Sequence, residues 1–341
     1  MGLADVVWSA ERRLVRSQVR RHARAGWQPR ATGFTGYGSP ERARVVGRVL
    51  MVDPAGSHAG NTDNADTTAQ RGWRQFITTP VPDAAVTVEL GSQRIDARTN
   101  DEGYFEVLIL DHGLGPGWHD ATVSVALGES REVAPVHIIS DEVTRAIISD
   151  VDDTIMVTML PRAVLAAWNS WVKKTNTRQP VAGMAHFFEA MRGSSDPVFY
   201  LSTGAWNTYD TLEDFIERHG LPRGPLLLTD WGPTQTGLFR SGPEHKRVQL
   251  RNLIIDFPNI TWTLVGDDGQ HDPMIYSDVV FEHPDKVELV AIRELSPSEH
   301  ILAHGSTTPI QQPGNYQGIP SISGTDGYAL VSEWDKLRRT V

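Results

Sequence analysis

Apolar residues recur along this chain in three successive rhythms. Between Asp5 and Ala25, Trp8, Val15, Val19 and Ala23 stand seven, four and four residues apart, with Val7 and Leu14 beside them and arginines elsewhere. That spacing predicts an amphipathic helix. Gly33 to Pro40, rich in Gly, Ser and Thr, reads as a linker. Short β-type runs then follow at about ten-residue intervals: Ala43–Val52, Gln75–Thr79, Val86–Leu90, Arg94–Arg98, Tyr104–Leu110, Ala121–Ala126 and Val133–Ile139. Turn signals such as Gly91-Ser92 and Asn100-Asp101-Glu102-Gly103 separate them, the grammar of a β-sandwich.

From Ala146 the rhythm changes, and apolar strands alternate with helical stretches. The strand Ala146–Ser149 is followed by helices over Ala163–Lys174 and Ala182–Arg192, a strand Val198–Ser202, a helix Thr208–His219 and a strand Leu226–Leu228. A helix Glu244–Phe257 and strands Thr261–Gly266, Val279–Glu282 and Val287–Ile292 complete the series. Such alternation predicts a parallel sheet with helices on both faces, a three-layer, Rossmann-like α/β domain. The expected division is a basic N-terminal helix over 1–32, an all-β sandwich domain over 36–143, the α/β domain over 144–298 and a tail over 299–341. The tail is polar and rich in Gly, Ser and Pro from His304 to Thr325, then turns into a short charged helix over Val331–Arg339.

Composition narrows the picture. The chain has 341 residues, 40% of them hydrophobic and 22% charged, and no cysteine, which excludes disulfides, thiolate metal sites and cysteine nucleophiles. No apolar run of membrane-spanning length and no secretory signal are visible, so a cytoplasmic location is expected. The net charge of −10 argues against nucleic-acid binding by the whole chain. Seven arginines against Asp5 and Glu11 nevertheless give residues 1–30 a local +5, leaving −15 elsewhere. The helix over residues 5–25 therefore either makes a peripheral membrane contact through its arginines or packs its apolar face on the protein's own body. The sandwich region shows no chemical constellation; a positioning or interaction role is expected, with no partner legible.

The candidate chemistry begins at Asp150-Val151-Asp152-Asp153-Thr154, directly after the apolar strand. Ligands in open α/β sheets sit beyond the carboxyl ends of strands, so Asp150 and Asp152 project into a site, with Asp150 a candidate nucleophile. A calcium loop is excluded, because its required Gly and Glu positions hold Ile155 and Pro161. The next strand ends in Ser202-Thr203-Gly204, which would bind a phosphoryl oxygen or else cap the following helix. Asp267, Asp268 and Asp272 crowd three acids after a further apolar strand, and magnesium suits such a hard-oxygen cluster better than zinc does, since His271 is a lone imidazole. Lys246, near the start of a helix, can balance the charge of an attacking carboxylate and a phosphate.

The order Asp150-x-Asp152-x-Thr154, Ser202, Lys246 and Gly266-Asp267-x-x-x-x-Asp272 resembles the haloacid-dehalogenase-like phosphatases. More narrowly it resembles the family of the actin-patch-associated phosphatidate phosphatase, through Arg71–Pro80, Tyr200-Leu201-Ser202, Leu227–Gly232 and Gly266–Tyr276. The resemblance implies a magnesium-dependent hydrolase acting on a lipid phosphate through an aspartyl-phosphate. Asp150 would be the nucleophile and Asp152 the general acid and base, with Thr154 steadying the loop and Ser202 and Lys246 binding phosphoryl oxygens. The metal would lie among Asp150, the Asp152 carbonyl, Asp267 and Asp272, and Asp153 would stabilise the loop. A phosphatase for water-soluble phosphomonoesters and a non-enzymatic scaffold are the competing readings. The aromatic stretch Met156–Lys174, carrying Trp168 and Trp171, is either a small lid or a core helix.

Overall fold

A computed structural model describes residues 3–54, 79–126, 131–157, 178–193, 195–229, 242–269, 271–304, 307 and 316–340, with the side chains of the first helix from residue 13 onward. The expected strand Gln75–Thr79 falls mostly, and the expected helix Ala163–Lys174 wholly, outside the described residues. Two compact units are present, the first made largely of Met1–Asp141 and the second of Glu142–Gly204, Thr208–Thr229 and Gly242–Val341.

The first unit opens with α1 (Leu3–Arg24) and continues through β1 (Gln28–Gly38), β2 (Arg42–Val52), β3 (Ala85–Leu90), β4 (Gln93–Arg98), β5 (Tyr104–Leu110), β6 (Gly117–Val125) and β7 (Arg131–Ile138). The strands form one hydrogen-bonded sheet in the order β4-β3-β6-β7-β1-β2-β5, antiparallel at every pairing except β1 with β7. Alternate residues such as Val45, Val86, Val88, Val107, Val123 and Val136 point into a single core, as period-two patterning dictates. The β3–β4 turn is hydrogen-bonded to the segment after β5, Ser92 N donating to His112 O at 3.0 Å, so the two ends of the sheet meet. The expected sandwich thus takes the form of one curled seven-stranded sheet around one core.

The linker expected over Gly33–Pro40 is instead most of β1, an inner strand between β2 and β7. Glycine is needed there for close approach: a Cβ on Gly36 would fall against the Arg44 carbonyl oxygen. Missing side chains erased the alternation in the sequence, although Phe34 and Tyr37 are buried. The apolar face of α1 packs on its own unit, where Val19 and Trp27 lie against the sheet core and His22 stacks on Trp27 with ring centroids 4.2 Å apart.

The second unit contains β8 (Arg145–Asp150), β9 (Met156–Val157), β10 (Gln179–Pro180), α2 (Met184–Met191), β11 (Val198–Ala205), α3 (Tyr209–Arg218) and β12 (Leu226–Thr229). Next come α4 (Gly242–Asp256), β13 (Thr261–Asp267), α5 (Asp272–Glu282), β14 (Val287–Arg293), α6 (Pro297–His304), β15 (Ser321–Gly324) and α7 (Gly327–Thr340). Its six-stranded sheet runs β12-β11-β8-β13-β14-β15, with β8 parallel to both β11 and β13 and the parallel pairing continued through β14 to β15. The chain leaves β8 toward β11 and β12 and later returns to its other side as β13, which makes the end of β8 a topological switch point.

Two expectations fail in this unit. Val279–Glu282 is the last turn of α5, not a strand. Ile275, Tyr276, Val279 and Val280 are buried at helical spacing, and that packing overrides the β propensity of the Val-Val-Phe run. The stretch His304–Thr325, whose polar, Gly/Ser/Pro-rich composition reads as a loop or linker, contains a strand, β15, in which Ile322 and Gly324 face inward beside β14. Four residues in a Gly/Ser/Pro-rich context carry too short a pattern to announce it.

Replacing Gly36 by alanine is expected to destabilise the first unit by about 1–3 kcal/mol, the cost of overpacking a fitted interior. Urea unfolding followed by far-UV circular dichroism checks it, and an unchanged midpoint refutes the close-approach argument.

Candidate active site

Strand register brings the chemistry to one edge. Leu201 pairs with Asp150 and Val265 with Ser149, so Asp150 and Asp267 end their strands and Ser202, within β11, stands level with them to within about one residue. Each strand is apolar until that edge: Ile147 and Ile148, Phe199 to Leu201, and Leu264 and Val265 are all buried. The side chains that follow are held by what the sheet presents there.

Asp150 is 3% exposed. Its Oδ1 lies 2.6 Å from Lys246 Nζ, and Thr154 Oγ1 donates to its Oδ2 at 3.1 Å. Lys246 reaches inward from the first turns of α4 and also contacts Asp272 Oδ1 at 2.6 Å. Asp272, at the start of α5, accepts at Oδ2 from the Asp267 amide at 3.4 Å. Gly266 leaves room for that carboxylate, since a Cβ there would lie 2.6 Å from Asp272 Oδ2. Asp267 accepts at Oδ1 from Gly269 N at 2.8 Å, while its Oδ2 is buried with no hydrogen-bond partner. Asp150, Asp267 and Asp272 each offer an oxygen within 4.8 Å of the others.

A second pair stands beside this cluster. Ser202 Oγ donates to Asp152 Oδ2 at 3.1 Å and accepts from Gly204 N at 2.9 Å. The following helix α3 is instead preceded at its N-cap by Thr208, so Ser202 is not its cap. Asp152 is half-buried, in contrast to Asp150. The loop between them and β9 folds on itself, with Asp153 in the left-handed region at φ 60° and its amide bonded to Met156 O at 2.8 Å. Asp tolerates that region better than most residues.

The charges are unbalanced. Burial pushes the Asp150 carboxyl up to about 8, against the pull of Lys246 and with the push of Asp272 and Asp152. Burial likewise drives Asp267 well above the usual carboxylate range, reinforced by Asp272 and Asp150. Burial alone would lower Lys246, but Asp150, Asp272 and Asp267 outweigh it and hold the ammonium above its ordinary value. One fixed cation faces three buried acids, the electrostatic condition for taking up a further cation.

All seven residues singled out from the sequence, Asp150, Asp152, Thr154, Ser202, Lys246, Asp267 and Asp272, thus gather in one unit. Sequence reasoning missed Arg293. It ends β14 in register with Asp267, is 5% exposed, and donates to the Asp153 carbonyl at 2.7 Å. Its place at the edge was legible, since it directly follows the expected strand Val287–Ile292, but its partners were not. Of the stretch Met156–Lys174, only Met156 and Val157 lie among the described residues; they form β9 and pair with β10.

Comparison with known proteins bears on the same segment. Residues 145–294 match the family model for the catalytic domain of phosphatidate phosphatase APP1. This segment is similar to that catalytic domain. This chain is 26% identical over 157 residues to phosphatidate phosphatase APP1 of Saccharomyces cerevisiae, covering 43% of this chain and 25% of the relative. It is 22% identical over 151 residues to an uncharacterised protein of Schizosaccharomyces pombe, covering 44% and 25%. The matched region therefore spans about a quarter of each relative. Among solved structures, a carbohydrate acetylesterase from Xanthomonas citri aligns over 87% of this chain and 70% of its own at 9% identity, with a TM-score of 0.28, which carries no argument.

Replacing Lys246 by methionine leaves Asp150 and Asp272 buried without their shared cation. The expected loss is about 3–5 kcal/mol at pH 8, the usual result of breaking one side of a buried ion pair. The loss should be smaller at pH 5. Removing Lys246 raises the buried Asp150 carboxyl further, and a carboxyl raised in this way contributes fully to stability below its unfolded value and loses that contribution as pH rises through its folded one. Thermal melts at the two pH values decide it; equal losses refute the charge-balance account.

Proposed function

We propose that this protein is a magnesium-dependent phosphatase that hydrolyses a lipid phosphomonoester, with phosphatidate as the substrate. The supporting observation is the placement of Asp150: it ends the strand at the switch point, held by Lys246 and Thr154 beside Asp267 and Asp272. The name of the yeast relative supplies the lipid class. The two helix pairings of the second unit, α2 with α7 and α4 with α5, support a three-layer arrangement of the haloacid-dehalogenase type.

The donor set fits magnesium. Three carboxylates converge, and Asp267 keeps a buried oxygen with no hydrogen-bond partner. Asp150, Asp267 and the Asp152 carbonyl would hold the ion, with Asp272 ordering its waters. When bound, it supplies the positive charge that lets a phosphate approach three acids.

The chain's own groups do the rest. An oxygen of Asp150 attacks phosphorus in line as the bond to the leaving oxygen breaks, giving an aspartyl-phosphate and the alcohol. Thr154, donating to the other carboxylate oxygen, fixes which one attacks. Asp152 gives its proton to the departing alkoxide and then removes one from the water that releases phosphate, which restores both groups. Ser202 Oγ and Lys246 Nζ bind phosphoryl oxygens and stabilise charge developing on them.

The first unit supplies a surface suited to such a substrate. On α1, Arg13, Arg16, Arg20 and Arg24 are exposed, and at 100° per residue they fall within about 80° of one another, opposite Val15, Val19 and His22. With the apolar side docked, the arginines face outward as a basic row for an anionic bilayer, each contributing about 1 kcal/mol near the surface. Among the described residues no helix is long and apolar enough to cross a membrane.

Two experiments test these readings. Phosphate release with magnesium should be highest on phosphatidate in mixed micelles, compared with sugar phosphates and nucleotides. Asp150→Asn should lower it by on the order of 10⁴-fold or more while leaving the melting temperature near wild type. Undiminished turnover of the variant sinks the nucleophile, and preference for a sugar phosphate or nucleotide replaces the lipid. Flotation with phosphatidate-containing liposomes should fail for the triple variant Arg16→Glu, Arg20→Glu, Arg24→Glu. Equal flotation of the variant removes the helix from membrane contact.

A further inference from the structure

Arg293 does more than neutralise a neighbour. Its guanidinium donates in three directions: Nη1 to the Asp153 carbonyl at 2.7 Å, Nη2 to Glu299 Oε1 at 2.6 Å, and Nε to the Thr325 carbonyl at 3.2 Å. Its own carbonyl accepts from the Asp268 amide at 3.0 Å. One residue therefore holds the loop that follows Asp150 by its side chain and the loop that follows Asp267 by its backbone.

The anchors on the far side are themselves fixed. Glu299 Oε2 accepts from the Ser296 amide at 2.8 Å and the Glu299 amide donates to Ser296 Oγ at 3.3 Å, a capping box that opens α6. Thr325 follows β15, whose Gly324 carbonyl accepts from Glu294 N at 2.9 Å. Beyond it, the Gly327 amide donates to Ala182 O at 2.8 Å and Leu330 is fully buried, so α7 locks the end of β15 against the start of α2. Glu299 and Thr325, which the guanidinium binds, lie beyond residue 294, where the family match ends.

The turn they hold is bonded internally at Asp153 N to Met156 O (2.8 Å) and Ile155 N to Val151 O (3.1 Å), and Arg293 takes up the Asp153 carbonyl at its centre. Asp153 sits at φ 60°, and the neighbouring amide contact, Thr154 N to Val151 O, is long at 3.4 Å. A left-handed residue between the acid–base candidate Asp152 and the Asp150-binding Thr154 sets the direction of both.

We propose that Arg293 is a positioning residue for the Asp150–Thr154 loop, and that the C-terminal elements α6 and β15 serve that loop by orienting the guanidinium. Its importance for turnover rests on the phosphatase reading; its hold on the loop does not.

The test uses the full chain with Arg293→Ala, Arg293→Lys and Glu299→Gln. Amide hydrogen exchange over residues 151–156 should quicken in all three, with β11 and β13 unchanged. The lysine variant keeps the charge beside Glu299 and covers the case in which the alanine variant fails to fold. With magnesium and phosphatidate, kcat should fall about 10²-fold, the scale of a displacement of about 1 Å at a reacting group, with KM within about threefold of wild type. Added guanidinium ion should restore part of the kcat of Arg293→Ala. Wild-type exchange over 151–156 in the lysine and glutamine variants overturns the proposal. So does a kcat loss that only tracks the folded fraction and does not respond to guanidinium. A wild type that releases no phosphate sinks the phosphatase reading alone, since the exchange result still decides the loop.

Discussion

The second unit is organised around one ammonium group buried between carboxylates. Lys246 Nζ lies 2.6 Å from both Asp150 and Asp272, with all three side chains almost fully removed from solvent. Stripping water from such ions costs several kcal/mol each, and mutual attraction repays it only where geometry is close and remaining lone pairs are satisfied. The surroundings supply that geometry. Thr154 serves the second oxygen of Asp150, the Asp267 amide serves that of Asp272, and Gly266 clears the space between them. What stays unsatisfied is the excess of acids over cations, concentrated at Asp267 Oδ2. This imbalance is the observation that supports the proposed magnesium site.

Sheet order makes the arrangement possible. Had the strands followed one another in sequence, Ser202 and Asp267 would not flank Asp150. The reversal that puts β11 on one side of β8 and β13 on the other brings three strand ends together. Register then carries the row on to Arg293. Parallel strands all point their carboxyl ends the same way, so residues separated by more than a hundred positions share an edge without any loop having to reach across.

The acids were legible in the sequence because each follows an apolar run that could only be a buried strand, and because a hydroxyl, a lysine and a second acid cluster came after them in a suggestive order. Residues with no apolar rhythm around them were not legible. The β1 strand lost its alternation to glycines that its neighbours require, and the end of α5 was hidden by β-branched residues that tertiary packing holds in a helix. Arg293 was missed for another reason. An arginine closing a strand has the same local context whether it points to water or, as here, to a carbonyl 140 residues away. Only the fold separates the two.

The contrast between the two aspartates of the first motif carries the chemistry furthest. Asp150 is buried and ion-paired, so under the phosphatase reading a carboxylate attacking from it would act in a site with little water, where charged hydrogen bonds are strong. Asp152 is half-buried and bonded to the hydroxyl of Ser202. Under the phosphatase reading that difference assigns the roles: the group that bonds to phosphorus needs a fixed direction, and the group that trades protons with a leaving alcohol and then with water needs access to both. A single backbone turn at Asp153 separates these environments. Under that reading, the hold of Arg293 on the turn would also be a hold on the division of labour between the two acids.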